Sequence, residues 1–94
     1  MMRVISNKAL TDFALCHPQA ETSLQVWRKI IESRTFDNFA ELKKAFNAID
    51  KAGDFHVFDV GGNKYRIITL INFSSQNLYI RYVFTHREYD KWKP

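Results

Sequence analysis

Seven side chains in the C-terminal part of the sequence could bind phosphate and transfer protons. They are Lys64, Arg66, Arg81, His86, Arg87, Tyr89 and Asp90. Cleavage of RNA by its own ribose 2′-hydroxyl needs a base for that proton, cations for the phosphate and an acid for the leaving 5′-oxygen. Imidazole, with an ordinary pKa of about 6.5, serves as acid or base, and guanidinium offers a planar donor fork to phosphate oxygens. The set therefore contains every kind of group that this metal-independent chemistry requires.

Several of these residues also have a purely structural interpretation. His86 could form local hydrogen bonds at the start of a helix, and Tyr89 could be a core ring or could stack on a base. Asp90 could orient His86 or lie as a solvated carboxylate. His56 stands in the middle of a strand-like run and is expected to be structural. The residue types alone are thus compatible with RNA cleavage, but they do not distinguish it from a purely structural role.

Basic residues are concentrated in the part of the chain that holds these side chains. The formal net charge is +4, and residues 55–94 have six Lys/Arg against three Asp/Glu. No acidic residue lies between Asp59 and Glu88. A basic excess confined to one part of a fold favours an anionic partner such as nucleic acid, although a solvated basic face gives the same pattern.

Length and composition exclude several other classes of protein. At 94 residues, with 46% hydrophobic residues, the chain predicts one domain over residues 1–94 with a real core, not a disordered tail. The single cysteine, Cys16, excludes a disulfide framework and is expected to be a small buried thiol. The three histidines lack the spacing of metal ligands. Gly61-Gly62 is not part of a GxxxxGK(S/T) sequence, so it does not indicate a phosphate-binding P-loop. We therefore expect neither a metal nor a cofactor.

The hydrophobic runs argue against export and membrane insertion. No apolar run approaches the roughly 20 residues that span a bilayer. Val4-Ile5 is too short for the apolar part of a signal peptide. The expected location is the cytoplasm, with no membrane association.

The N-terminal half predicts a strand followed by three helices. Residues 2–5 form the strand, and the side chain of Ser6 or Asn7 is expected to cap the first helix, which ends before Pro18. The longest helix is predicted over 19–34, where one apolar stripe consists of Ala20, Leu24, Trp27 and Ile31.

A third helix should begin near Asn38, after which the pattern changes to that of strands. A three-stranded meander is predicted, with strands at 55–60, 65–73 and 78–84. Gly61-Gly62-Asn63 marks the first turn between them. Thr85 and Glu88 have the spacing of a capping box that opens a short last helix. The predicted class is α+β, with the N-terminal strand and helices packed on one face of a mainly antiparallel sheet and a short C-terminal helix.

Strand alternation places the candidate residues relative to the sheet. One face of the last strand, expected to meet the helices, consists of Leu78, Ile80, Tyr82 and Phe84. Arg81 should then project from the uncovered face. Arg66 is near the start of the neighbouring antiparallel strand, and His86 follows the end of the last one. Arg66 should therefore lie near His86.

Two runs of the C-terminal half resemble the signatures of HigB-type toxins. Residues 58–66, FDVGGNKYR, are similar to the pattern F-x-V-G-G-N-x-x-R. Residues 83–91, VFTHREYDK, are similar to V-x-T-H-x-E-Y-D-K. The opening residues 4–10 and Pro18-Gln19 also look like this family, so the resemblance covers essentially the whole chain.

The resemblance implies a RelE-like fold and a toxin of a type II toxin–antitoxin system. Such toxins are mRNA interferases, and HigB-type members generally cut mRNA on the translating ribosome and thereby inhibit translation. Their usual neutralising partner is a HigA-type helix-turn-helix antitoxin, and the pair is expected to bind operator DNA only through it. The resemblance thus implies an RNA endonuclease with mRNA, the ribosome and an antitoxin as partners.

The resemblance also assigns roles to individual residues. In the RelE-like superfamily the arginine of a Y-R-L strand motif contacts the scissile phosphate, and residues 65–67 match it with Arg66. His86 and Tyr89 lie in the stretch that supplies further catalytic groups. The strand before the turn has Asp59 and no lysine, so His86 is preferred as the general base. Contacts to RNA or phosphate are expected from Asn63, Lys64, Arg81, Arg87 and Lys91.

Two other functions are compatible with the same residues. A non-catalytic nucleic-acid-binding module could use the same basic face. An inactive toxin homologue could act only as a protein partner. The joint presence of Arg66, His86 and Tyr89 favours the endonuclease, because an inactive copy would tend to lose some of them.

Overall fold

A five-stranded mixed sheet forms the centre of the fold. The computed structural model describes residues 1–92. Its strands are β1 (Arg3–Ile5), β2 (Asp50–Ala52), β3 (Phe55–Val60), β4 (Tyr65–Asn72) and β5 (Asn77–Thr85). They lie in the order β1-β5-β4-β3-β2, with β1 parallel to β5 and the other pairs antiparallel. The predicted α+β class and the meander are confirmed, whereas β2 is a short edge strand that no alternation in the sequence predicts.

The helices pack their apolar stripes against this sheet. They are α1 (Asn7–Cys16), a 3₁₀ turn (Pro18–Ala20), α2 (Glu21–Ile31), α3 (Phe39–Ala45) and α4 (His86–Lys91). The stripe predicted for the longest helix is buried, since Leu24, Trp27 and Ile31 of α2 and Ala20 of the preceding 3₁₀ turn are at most 2% exposed. The helix is shorter than the predicted 19–34. The chain leaves it at Glu32, whose carboxylate accepts the Val4 N–H at 3.1 Å and joins α2 to β1.

Local capping signals in the sequence have mixed outcomes. The capping box is confirmed, because Thr85 Oγ1 accepts the Glu88 N–H at 3.2 Å and a Glu88 carboxylate oxygen accepts the Thr85 N–H at 2.8 Å. Asn38 Oδ1 likewise caps α3. The expected side-chain cap of α1 is wrong. Ser6 stands at that position with φ +78° and makes no capping hydrogen bond with its side chain, so its backbone carbonyl accepts the Ala9 N–H instead.

The core lies between the helices and one face of the sheet. Its largest fully buried side chains include Trp27, Phe36 and Phe58, and Trp27 meets Phe58 edge to face at 5.2 Å. Cys16 is exposed, so the expectation of a buried thiol is wrong. Leu10 sets the inward face of α1, and Cys16, six residues later, lies about 120° around the helix from that face. No helix within residues 1–92 is long and apolar enough to cross a bilayer.

A β-bulge in β5 changes the face on which its side chains lie. Ile68 pairs with Tyr82 and Thr69 pairs with Ile80, so Arg81 is an extra residue opposite a continuous β4. The predicted alternation therefore holds only up to Ile80. Beyond the bulge every side chain lies on the face opposite to the predicted one.

The correction moves two aromatic residues out of the core face. Val83 packs against the core instead, and the rings of Tyr82 and Phe84 lie on the other face, where both approach Trp92. The expectation that this face is uncovered is also wrong. Trp92, directly after α4, packs against Phe55 at 5.4 Å, so the C-terminal helix covers part of the second face.

His56 is a buried histidine on the core face of β3. It is 7% exposed, and its ring lies between those of Phe39 and Phe73 at 5.7 and 5.8 Å. Neither ring nitrogen has a hydrogen-bond partner among residues 1–92. Burial lowers the pKa of His56, and the charge of Lys51 lowers it further.

This burial predicts a loss of stability in mild acid. As the pH falls below about 6.5, the unfolded chain binds a proton at His56 before the folded chain does, so the free energy of unfolding decreases. A His56→Phe variant should lack this part of the pH dependence. Urea denaturation of both proteins between about pH 7.5 and about pH 5 measures the difference. Equal pH slopes for the two proteins would contradict the assignment.

Candidate active site

The turn between β3 and β4 brings the candidate residues to one end of the sheet. Gly61, Gly62 and Asn63 all have positive φ, at +66°, +63° and +75°. Glycine is required at the first position, because a Cβ at Gly61 would lie 2.8 Å from Tyr65 Cδ2. The tight turn sets the register of the hairpin, and Arg66 consequently stands directly opposite Asp59.

Four side chains surround the guanidinium of Arg66. Its Nη1 donates to Asp59 Oδ1 at 2.9 Å, and its Nη2 donates to Asn63 Oδ1 at 2.8 Å and to His86 Nδ1 at 3.1 Å. The guanidinium carbon also lies 5.4 Å from the centroid of the Tyr89 ring. The predicted proximity of Arg66 and His86 is confirmed. The arrangement holds a cation in a fixed orientation beside an imidazole and a phenol.

The backbone and the start of α4 position His86. Its N–H donates to the carbonyl of Lys64 at 2.9 Å, which ties the helix start to the hairpin turn. A guanidinium has no lone pair, so the bond to Arg66 requires that His86 Nδ1 accept. The ring proton is then on Nε2, which lies 3.3 Å from Asp90 Oδ2. In the neutral ring, Nδ1 is therefore free of a proton and Nε2 donates to Asp90.

Asp59 is part of this site, although neither its residue type nor the family motif assigned it a function. The Asp59 and Arg66 side chains are 19% and 11% exposed, so the ion pair is largely withdrawn from water. The signal was present in the sequence. Once the turn is placed at 61–64, Val60 pairs with Tyr65, and the next pair outward must be Asp59 with Arg66. The carboxylate occupies one nitrogen of the guanidinium and leaves the other directed toward His86.

The contacts described above join Asp59, Asn63, Arg66, His86, Tyr89 and Asp90, and this group is called the constellation below. Other predicted RNA-contacting side chains are not part of it. Their side chains are exposed and form no hydrogen bond or ion pair within the described residues: Lys64, Arg81, Arg87 and Lys91. Arg81, at the bulge, is three residues before Phe84, which pairs with Arg66, and so lies roughly 10 Å away along the strand. These residues provide positive charge around the constellation, not direct contacts within it.

The constellation lies inside a segment that matches a known family. Residues 20–92 match the family model described as HigB_toxin, RelE-like toxic component of a toxin-antitoxin system. The chain belongs to this toxin family. The family predicted from the two C-terminal runs is therefore confirmed, and membership implies an antitoxin as partner.

Similar proteins cover almost the whole chain. The mRNA interferase toxin HigB of Escherichia coli (strain K12) is 42% identical over 92 residues, which are 95% of this chain and 88% of the relative. The mRNA interferase HigB of Shigella flexneri has the same identity and coverage. The mRNA interferase HigB of Escherichia coli O6:H1 is 30% identical over 93 residues, 96% of this chain and 90% of the relative.

The ion pair makes a prediction about stability. Asp59→Ala should lower the free energy of unfolding by about 1–3 kcal/mol, because it leaves the charge of Arg66 without its partner in a poorly solvated position. Asp59→Asn keeps a hydrogen-bond acceptor and should cost less. Urea denaturation of these variants, of Arg66→Ala and of the double variant Asp59→Ala/Arg66→Ala measures the coupling. We expect the double variant to lose less than the two single losses combined; strictly additive losses would contradict a stabilising pair.

Proposed function

We propose that this toxin is an endonuclease that cleaves mRNA on the translating ribosome by attack of the ribose 2′-hydroxyl, without a metal ion. The observation that supports this most is the 3.1 Å contact between Arg66 Nη2 and His86 Nδ1. It places a phosphate-binding cation and a proton-transfer group within one hydrogen bond. Relatives named mRNA interferases support the same activity. Translated mRNA is cytoplasmic in bacteria, so we place the toxin there.

Phosphate binding begins at the solvent side of Arg66. The His86 side chain is half exposed, whereas Arg66 is largely covered. A non-bridging phosphate oxygen that approaches past the imidazole replaces His86 Nδ1 as the acceptor for Nη2. Asp59 keeps Nη1 in place during this exchange. The scissile phosphate thus arrives beside an imidazole nitrogen that it has just released from a hydrogen bond.

The released nitrogen is then available as the base. His86 Nδ1 accepts the proton of the 2′-hydroxyl, the 2′-oxygen forms a bond to phosphorus, and the bond from phosphorus to the 5′-oxygen breaks. The leaving 5′-oxygen takes a proton from an acid, a role that we assign to the phenol of Tyr89, whose ring lies beside Arg66. The products are a 2′,3′-cyclic phosphate and a 5′-hydroxyl. Arg66 stabilises the charge that develops on the phosphate oxygens.

Two further residues keep these groups in position. Asp90 accepts a hydrogen bond from His86 Nε2 and stabilises the imidazolium that forms when Nδ1 takes the proton. Asn63 holds Arg66 through its side-chain oxygen. The exposed cations around the constellation contact the RNA backbone in this proposal: Lys64, Arg81, Arg87 and Lys91.

The proposed partner is a HigA-type helix-turn-helix antitoxin. A basic toxin surface requires a neutraliser that covers or distorts it, and family membership already implies an antitoxin. In this proposal the antitoxin supplies the helix that reads operator DNA, and the toxin binds that DNA only as part of the complex.

Removal of the Arg66 guanidinium should abolish toxicity. Loss of one donor to a developing oxyanion slows such reactions on the order of 10²–10³-fold, so Arg66→Ala should not arrest growth when expression is induced. Arg66→Lys should recover only part of the effect, because an ammonium lacks the bidentate fork. Growth curves measure toxicity, and mapping of mRNA 5′ ends with and without active translation measures cleavage.

The matched control is Arg3→Ala, which removes an exposed arginine from β1 at the edge of the sheet. It should remain fully toxic. Circular dichroism and binding of the antitoxin show whether Arg66→Ala is folded. A folded Arg66→Ala protein that stops growth as well as the unmodified toxin would overturn the proposed role.

Loss of the His86 imidazole should slow the chemical step without a comparable loss of binding. Gln can form a hydrogen bond of similar reach but cannot exchange a proton near neutral pH, so His86→Gln should reduce the single-turnover rate by at least ~10². Affinity for mRNA-programmed ribosomes should change little. If His86→Gln cleaves at close to the unmodified rate, His86 is structural and the proton transfers belong to Tyr89 or Lys64.

A further inference from the structure

Tyr82 is an exposed aromatic residue that the proposed chemistry does not use. Its side chain is 47% exposed. One face of its ring lies on Phe84, with the centroids 5.2 Å apart and the planes 11° from parallel, and Trp92 lies 6.0 Å to the side. Two aromatic neighbours therefore hold the ring in one orientation while much of its surface remains open to solvent.

The bulge at Arg81 brings this ring to the same face as Arg66. Phe84 pairs directly with Arg66 across β4 and β5, and Tyr82 is two residues further along the same strand. Two residues of extended strand correspond to roughly 7 Å. That separation is comparable with one nucleotide step in an extended single strand. Tyr82 thus lies about one nucleotide step along β5 from the residue that pairs with Arg66.

The charge around Tyr82 favours an RNA strand as the occupant. No acidic residue lies on β4 or β5, and Arg81 next to it is exposed. A phenol ring offers a π-face to any nucleobase, and guanidinium groups such as those of Arg81 and Arg66 bind phosphate oxygens. A purely apolar protein segment would leave Arg81 without a partner, since its exposed side chain forms no ion pair within residues 1–92.

We propose that Tyr82, supported by Phe84, forms a stacking subsite for the base of a nucleotide adjacent to the scissile phosphate. This inference rests on the proposed RNA endonuclease function and extends it to a second nucleotide. Because every base has a π-face, the subsite contributes affinity and alignment more than base selectivity.

Tyr79 provides a matched control on the same strand and the same face of the sheet. It is 37% exposed and pairs with Leu70, on the far side of the bulge from Arg66. A general loss of aromatic surface from β5 would affect Tyr79→Ala and Tyr82→Ala alike. A stacking subsite beside Arg66 would affect only the second variant.

The test measures binding of a short single-stranded RNA that carries a 2′-O-methyl group on every ribose and so lacks the attacking hydroxyl. Fluorescence anisotropy gives its Kd for the unmodified toxin, Tyr82→Ala, Tyr82→Phe and Tyr79→Ala. Stacking on one base predicts a Kd about tenfold or more higher for Tyr82→Ala. Tyr82→Phe and Tyr79→Ala should remain within about twofold of the unmodified toxin, since the first keeps the ring and the second leaves the subsite intact.

Abasic nucleotides placed one at a time along the same RNA identify the stacked base. One position should weaken binding to the unmodified toxin by a similar factor and should have no further effect on Tyr82→Ala. Equal affinities for Tyr82→Ala and the unmodified toxin, or no binding of this RNA by the unmodified toxin, would overturn the subsite. So would a Tyr82→Ala variant that binds RNA normally but loses affinity for the antitoxin, since the surface would then serve that protein.

Failure of the subsite is distinguishable from failure of the proposed function. If Arg66→Ala is non-toxic and Tyr82→Ala binds RNA normally, only the subsite is wrong. If Arg66→Ala remains toxic while Tyr82→Ala loses RNA affinity as expected, the subsite stands on an RNA-binding surface and the catalytic proposal is wrong.

Discussion

The cross-strand ion pair between Asp59 and Arg66 is the interaction on which the rest of the site depends. An arginine side chain is long and flexible, and a free guanidinium at a strand end would extend into water. Here Asp59 holds one nitrogen at 2.9 Å in a position that water scarcely reaches. The remaining donors of the guanidinium therefore point toward Asn63 and His86. The Asp59 carboxylate thereby gives the phosphate-binding group its direction.

The second constraint is the bulge in β5, which determines what surrounds Arg66. Without the extra residue at Arg81, the rings of Tyr82 and Phe84 would face the core and Val83 would lie beside the guanidinium. With it, an aromatic surface continues from Tyr82 through Trp92 to Tyr89, which lies over Arg66. The same surface anchors α4, whose first residue is His86. The bulge at Arg81 thus links the orientation of α4 to the aromatic surroundings of Arg66.

The parts of the site that the sequence predicted are those with local signals. Positive-φ residues at Gly61-Gly62-Asn63 and the Thr85–Glu88 capping box fix a turn and a helix start within a few residues each. Together with antiparallel pairing they imply the contact between Arg66 and His86. The motif resemblance added the identity of the family, which composition and charge left open.

The parts that could not be predicted depend on pairing between distant segments. The bulge arises where the eight residues of β4 pair with the nine of β5. No residue type in β5 predicts its position. The exposure of Cys16 depends on how α1 packs, and the failure of Ser6 to cap depends on the turn out of β1. Asp59 is different, since its pairing with Arg66 could have been counted from the turn. The pattern F-x-V-G-G-N-x-x-R accepts any residue at the position of Asp59, so the resemblance gave no signal for it.

The central claim is that Arg66 and His86 act as one catalytic unit, with phosphate binding by the first releasing the base on the second. A double-variant cycle in single-turnover cleavage of mRNA on ribosomes tests it most directly, with Arg66→Lys, His86→Gln and the combination of both. The account predicts strong non-additivity: once either residue is replaced, replacement of the other reduces the remaining rate only slightly. Two losses that multiply as independent factors would contradict it.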